Sequence, residues 1–305
     1  MSTRIFDHGD NPEFANLVTR DEVLFDVSME PLKDHGYRSI GTTEFGIFAN
    51  MDDGGEPYLL NTCSNRYELV PNSSIFPVIE AMLRANGFDF EANYYMDDYT
   101  VFTVEYIIKG MGIDAGNGDT IDPVFRIRHS YNGFVQYEMT FGFYRLVCTN
   151  GLVVPLAGQE AKNYRIKGKH TKKILQSIEN LLTHLSKVMD DQPKFEKTVH
   201  TMSDRVVEKW EDRVLEVMNA TGIKMGRVVN VHTGDNDNRN LLAINAVMNV
   251  ELNDRQLHGE ASDWLVYNAI NEGYVYNNDL NTMKPHIRED FDQKVMSYIL
   301  ENPAE

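Results

Sequence analysis

Past Pro155 the apolar residues of this chain change their spacing from every second position to every 3.6, and that switch constrains the fold more than any other feature. Side chains on a strand alternate between two faces, whereas on a helix they return to one face every three or four residues. The switch therefore predicts an α+β chain: an N-terminal antiparallel β-hairpin sheet with one packed helix, followed by a mostly helical C-terminal half. The expected division is an extended arm over 1–36, an α+β sheet region over 37–157 and a helical region over 158–305. The last two regions also read as one continuous domain.

Before the switch, Phe45, Ile47 and Ala49 alternate with small residues, Asp52 to Gly55 make a turn, and 58–60 resumes as a strand, with 67–70 as a further short one. Asn72, Ser73 and Ser74 are capping types ahead of the stripe Ile75, Phe76, Val78, Ile79, Met82 and Leu83. Pro77 sits in the first turn, where its missing N–H costs little, and Asn86-Gly87 is a stop signal. These residues predict a helix over 74–86. Strands follow over 88–95 and 99–108 around a turn at Met96-Asp97-Asp98, and a Gly/Asp-rich loop over 110–122.

The hairpin beginning at Phe125 carries the clearest register signal. A two-residue Asn132-Gly133 turn would set Arg126 opposite Met139, so the pattern selects a three-residue loop, Tyr131-Asn132-Gly133, with Gly133 left-handed. That register pairs Phe125 with Met139, Ile127 with Tyr137 and His129 with Val135 on one face. On the other, solvated face it pairs Arg126 with Glu138 and Arg128 with Gln136.

Beyond the switch, the stripe Ile174 to Met189 and a second over 196–219 predict two antiparallel helices turned at Asp190-Asp191-Gln192-Pro193. Residues 222–240 read as loop, and helices are expected over 241–252, 263–272 and 289–300.

Formal net charge is −17, unevenly placed: 24 acidic against 10 basic residues over 1–160 give −14, and 22 against 19 over 161–305 give −3. That balance opposes non-specific adhesion to nucleic acid or membrane, while leaving room for a local basic groove. The 2 cysteines are too few for a disulfide framework and read as reduced and buried. There is no apolar signal-peptide core near the start and no run long enough to span a bilayer, so the expectation is a soluble cytoplasmic protein with no membrane association.

One stretch concentrates positive charge. Lys162, Arg165, Lys167, Lys169, Lys172 and Lys173 place six cations in twelve residues without an acid, with Tyr164 and His170 interleaved. Such a run tracks phosphates, and the helix entrance that follows adds backbone N–H groups. A solvated helix entrance, or a patch pairing with the acidic half, is the structural alternative. Contact of all six with single-stranded phosphates implies a log–log salt slope of about −4. Arg126 and Arg128 would assist them. Cys148-Thr149-Asn150-Gly151 reads as a turn rather than a nucleophile, because no fixed spacing supplies a base from His129 or His170. Asp235-x-Asp237 fails as a calcium loop, with Asn240 and Ala246 where Gly and Glu are required. No metal-ligand spacing, P-loop, dinucleotide fingerprint or GxSxG occurs, so no cofactor is expected.

The segment Arg145-Leu146-Val147-Cys148-Thr149-Asn150, followed by Lys169-His170-Thr171, resembles the phage- and plasmid-related family known as domain of unknown function 932. Asn65 to Asn72 resembles the segment before that family's first helix, and Trp264 to Ala269 its Tyr-Asn-Ala helix, so the resemblance covers roughly 40–300. It makes Arg145, Cys148 and Asn150 markers of the turn that aims the basic strip. It also implies a mobile-element neighbourhood of DNA-maintenance and antirestriction genes in a bacterial host. The order of helix, two hairpins and Lys-rich helix is similar to the core of the Rad-fifty-two-like single-strand annealing proteins, which form rings around DNA. The expectation is a non-catalytic, homo-oligomeric binder of single-stranded DNA. Its rival is an acidic interaction protein that blocks a host defence or DNA-processing factor, and a Cys148-dependent enzyme is the weakest alternative.

Overall fold

Residues 17–39, 41–50, 56–116, 119–145, 165–168, 181–224, 227–229, 236–255, 259–275 and 285–304 are described by the computed structural model. Their backbone is α+β, with antiparallel sheets in the N-terminal half and several helices in the C-terminal half. The principal sheet has the order β1-β5-β6-β8-β9-β10, with β7 paired to β8. Its strands are β1 (Leu17–Val18), β5 (Phe90–Asp97), β6 (Val101–Ile108), β7 (Ile113–Asp114), β8 (Thr120–Ser130), β9 (Tyr137–Arg145) and β10 (Arg165–Gly168). A smaller sheet joins β2 (Asp26–Pro31), β3 (Phe45–Asn50) and β4 (Tyr58–Cys63). Residues 67–70, expected as a strand, belong to no strand here.

One face of the principal sheet is the core face. Phe102, Val104 and Tyr106 on β6, Phe125, Ile127 and His129 on β8, and Tyr137, Met139 and Phe141 on β9 are buried on it. The helix α2 (Phe76–Ala85) covers part of this face, its Phe76 ring meeting Tyr94 and His129. Glu80 lies on the same helix at 1% exposure, yet it is fully engaged. Arg20 Nε reaches both its oxygens at 3.1 and 2.9 Å, and Tyr94 donates its hydroxyl at 2.7 Å. Burial, and then this bond, push the Tyr94 hydroxyl well above the ordinary phenol range. The short helix α1 (Arg20–Val23) is thereby fastened to α2 and β5.

The helical half differs from expectation at its start. A single helix, α3 (Leu181–Ser203), runs through Asp190-Asp191-Gln192-Pro193, where a turn between two helices was expected. A proline forfeits one backbone hydrogen bond and crowds the preceding turn, but tertiary contacts on both sides of Pro193 outweigh that cost. Gln192 Nε2 donates to Met111 O at 2.7 Å, His200 Nε2 donates to Asp114 O at 2.8 Å, and Phe195 stacks on Phe143 at 4.2 Å. The break falls instead before α4 (Trp210–Thr221). The expected loop contains a small hairpin, β11 (Arg227–Val229) with β12 (Asn236–Asn238).

The helices α5 (Arg239–Asn249) and α6 (Asp263–Ile270) each pass into a π-helical turn, Val250–Arg255 and Asn271–Val275, before α7 (Pro285–Glu301). Every residue of α6 is buried. Its Trp264 indole donates to Asp119 Oδ2 at 3.3 Å, joining the helices to the β7–β8 connection. Asp263, at 0% exposure, receives Arg213 Nε at 2.9 Å, lies 3.7 Å from Arg205 Nη1, and accepts from Ala304 N. Arg213 also binds Glu216 and Asn302 O, so one guanidinium ties α4, α6 and the segment after α7 together.

Candidate nucleic-acid interface

The polar face of the principal sheet is built by alternation alone. With Phe125, Ile127 and His129 turned to the core, Arg126 and Arg128 fall on the opposite face, as do Glu138 and Thr140 of β9. The hairpin register is Phe125↔Phe141, Arg126↔Thr140, Ile127↔Met139 and Arg128↔Glu138. This is two residues away from the expected pairing. A shift of two keeps every side chain on its own face, so the apolar pattern cannot distinguish the two registers.

What decides the register is the loop. Val135 N donates to Ser130 Oγ at 2.9 Å, Ser130 Oγ returns a bond to Val135 O at 3.1 Å, and Phe134 N donates to Asn132 Oδ1 at 3.0 Å. These bonds hold a six-residue connection over 131–136, with Gly133 left-handed at φ +76°. The base of the loop is pinned by Tyr131, whose N donates to Thr100 O, whose O accepts from Asn61 Nδ2, and whose hydroxyl accepts from Asn72 N.

Arg126 pairs with Glu105 of β6, not with Glu138. Its Nε and Nη2 reach Glu105 Oε1 at 2.8 and 2.5 Å, and Tyr95 donates to Glu105 Oε2 at 3.3 Å. The face is also drier than a solvated strand face. The Arg126 side chain is 16% exposed and that of Glu105 4%. The signal available in the sequence was Glu105 itself, the lone ionisable carboxylate in the β6 sequence Val-Phe-Thr-Val-Glu-Tyr-Ile-Ile.

The strand β10 brings Arg165 and Lys167 of the basic strip alongside β9. It pairs antiparallel with β9 in the register Arg165↔Thr140, Ile166↔Met139, Lys167↔Glu138 and Gly168↔Tyr137. Ile166 and Gly168 are thus in register with the core-face residues Met139 and Tyr137, and Arg165 and Lys167 with the polar-face residues Thr140 and Glu138. Read across the strands, two neighbouring rungs result: Asn93–Glu105–Arg126–Thr140–Arg165 and Tyr95–Thr103–Arg128–Glu138–Lys167. Two strand spacings separate Arg126 from Arg165 and Arg128 from Lys167, about 10 Å, and the rungs lie about 7 Å apart. Four cations and two carboxylates occupy these rungs. The next rung on this face, Glu91–Ile107–Val124–Gly142, is apolar at its centre, and beyond it Lys109 lies 3.1 Å from Glu91 and 3.6 Å from Asp122. Burial raises the Asp122 carboxyl above its usual range, and Lys109 opposes that rise.

Of the other expected site residues, Arg145 ends β9 in register with Ile121. Lys162, Lys169, His170, Lys172, Lys173, Cys148 and Asn150 lie outside the described residues. Cys63, at 8% exposure, is a free thiol that burial pushes above its ordinary pKa. Among the described residues, no group of three or more His, Cys, Asp or Glu side chains is arranged to hold a metal ion, and no helix is long and apolar enough to cross a membrane.

Residues 59–276 match the family described as "Domain of unknown function (DUF932)", and the chain belongs to it. The matched span contains β5 to β10 and the helices α2 to α6, so the two charged rungs lie inside the family's domain. No match to the chain was found among curated proteins or among solved structures.

Proposed function

We propose that this chain is a DNA-binding protein of a phage or plasmid, most similar to the single-strand annealing proteins, which acts in the cytoplasm of a bacterial host without metal, nucleotide or catalysis. The observation that supports this reading best is the docking of β10. It sets Arg165 and Lys167 in the same rungs as Arg126 and Arg128, so cations some forty residues apart in sequence share one sheet face. On that face Arg128, Arg165 and Lys167 are the candidates for phosphate contact. Arg126 is spent on Glu105 and contributes by shaping the rung. Lys162, Lys169, His170, Lys172 and Lys173 extend the strip along the sequence on either side of β10.

The test is fluorescence anisotropy with single- and double-stranded oligonucleotides at two salt concentrations. Single-stranded binding should fall with a log–log slope of about −0.7 for each phosphate neutralised. Changing Lys162, Arg165, Lys167, Lys169, Lys172 and Lys173 to Gln should abolish it. Undiminished binding in that variant refutes the site, and no binding by the unaltered chain at low salt refutes the function. The rival reading, an acidic protein that blocks a host defence or DNA-processing factor, draws on the net −14 of residues 1–160. Capture of such a factor together with absence of oligonucleotide binding would favour it.

A further inference from the structure

Beside the charged rungs, the sheet ends in two loops that present aromatic rings to solvent. Phe134, in the β8–β9 connection, is 88% exposed, and Tyr99, in the β5–β6 turn, is 43% exposed. The two loops are fastened side by side, Asn132 Nδ2 donating to Thr100 Oγ1 at 2.9 Å and Tyr131 N to Thr100 O at 2.7 Å. Phe134 is held in place by its own backbone bond to Asn132 Oδ1 and by the paired Ser130–Val135 bonds on its far side. A phenyl ring on a hydrogen-bonded loop therefore stays exposed without burying itself.

Tyr99 carries a second oddity. It and Asp98 both have positive φ, +55° and +47°, with Thr100 N bonded to Asp97 O. That is the tight hairpin turn in which Asn-Gly is the favoured pair. A tyrosine there sits in a left-handed conformation that its Cβ disfavours. Its ring is half supported by an edge contact with Phe25.

We infer that Phe134, with Tyr99 beside it, is a stacking platform for the bases of a single strand whose phosphates lie on the neighbouring cationic rungs. This rests on the nucleic-acid reading above and deepens it. The rung containing Arg128 and Lys167 is the charged one nearest the loop, Arg128 standing three residues before Tyr131, about 10 Å along the strand. The acids Asp97 and Asp98 are exposed at the turn beside Tyr99 and repel phosphate there, so the tip suits bases rather than backbone. Bases within a duplex already stack on each other and offer no face to a protruding ring, so the platform selects single strands. It does so with little regard to sequence, because every base has a π-face.

The experiment compares the full chain with its Phe134→Ala and Phe134→Trp variants, using an oligothymidylate, an abasic strand of equal length and a blunt duplex. Phe134→Ala should weaken oligothymidylate binding by about 5- to 150-fold, leave the abasic strand and the salt slope unchanged, and be rescued by Phe134→Trp. Because Phe134 is exposed, circular dichroism and thermal unfolding should be unaltered. If the unaltered chain binds oligothymidylate with the expected salt dependence, then equal affinity in Phe134→Ala, or an equal loss on the abasic strand, overturns the platform and leaves the cationic face standing. Absence of binding by the unaltered chain overturns both.

Discussion

Arg126 and Glu105 face each other across β8 and β6, with two guanidinium nitrogens on one carboxylate oxygen and the Tyr95 hydroxyl on the other. Breaking such a pair leaves a charge in a site that water hardly reaches. Arg126→Ala should lower unfolding stability in urea by about 3 kcal/mol, whereas Arg126→Met with Glu105→Leu should come close to the unaltered chain. The corollary concerns binding experiments. A loss of oligonucleotide binding in Arg126→Ala would report on the sheet, so the face is better tested through Arg165 and Lys167.

The Arg213–Asp263 contact has the same logic deeper in the molecule. Asp263 is fully buried and gathers Arg213, Arg205 and Ala304 N. Asp263→Ala takes from Arg213, itself 5% exposed, its buried carboxylate and leaves it only Glu216 and Asn302 O, which should cost about 3 kcal/mol. Chemical denaturation checks it, and the amides of 302–304 should lose hydrogen-exchange protection with it.

Gly273, in the second π-helical turn, packs directly on α5. A methyl group there would lie 2.7 Å from Ile244 Cα and 2.9 Å from Ile244 N. Backbone cannot rotate away as a side-chain tip can. Gly273→Ala should destabilise by about 1–3 kcal/mol, whereas Gly87→Ala, which meets no atom within 4 Å, should show only the strain of φ +79°. Thermal unfolding of the two variants separates crowding from strain.

Pro193 should be a reservoir of stability. It is exposed within α3, and Ala is about 3 kcal/mol more favourable inside a helix. Pro193→Ala should raise stability by about 1–3 kcal/mol, read as an increase in the denaturation midpoint. A decrease would mean that Pro193 is needed to seat Phe195 on Phe143.

The Glu30 carboxyl is held below its usual range by the Ser28 hydroxyl and by His35, each at 2.6 Å. A lowered carboxylate pKa means fewer bound protons in the folded state. The stabilisation is therefore complete above the unfolded value, near 4.5, and lost as pH falls through the folded one. Ser28→Ala should lower the melting temperature near neutral pH and converge with the unaltered chain in strong acid. The pair is accessible to water, so the difference should stay below about 1 kcal/mol.

The strands and helices were legible wherever one residue type had one reason to be there. The stripe from Ile75 to Leu83 and the stop at Asn86-Gly87 mark α2 within two residues of its ends. Asp190 to Pro193 misled because turn chemistry is local, while the contacts that keep α3 continuous come from Met111, Asp114 and Phe143, far off in sequence. The hairpin register was illegible for a geometric reason. Two pairings two residues apart bury the same side chains, and the loop bonds of Ser130 and Asn132 separate them. In the candidate site, the cations were visible and their partner was not. The charge run picked out Arg165 and Lys167 but gave no hint that they join Arg128 through β10, or that Arg126 belongs to Glu105.

The brevity of β10 has a thermodynamic consequence. Its four residues add an outer strand to β9, and without them Arg128 loses Lys167 as its rung-mate. A polyanion bridging the two residues would hold that strand in place, and by linkage the seated strand would strengthen the polyanion's grip by the same factor. Occupancy of the face and closure of the sheet edge then form one equilibrium, and amide exchange along 165–168 would measure both.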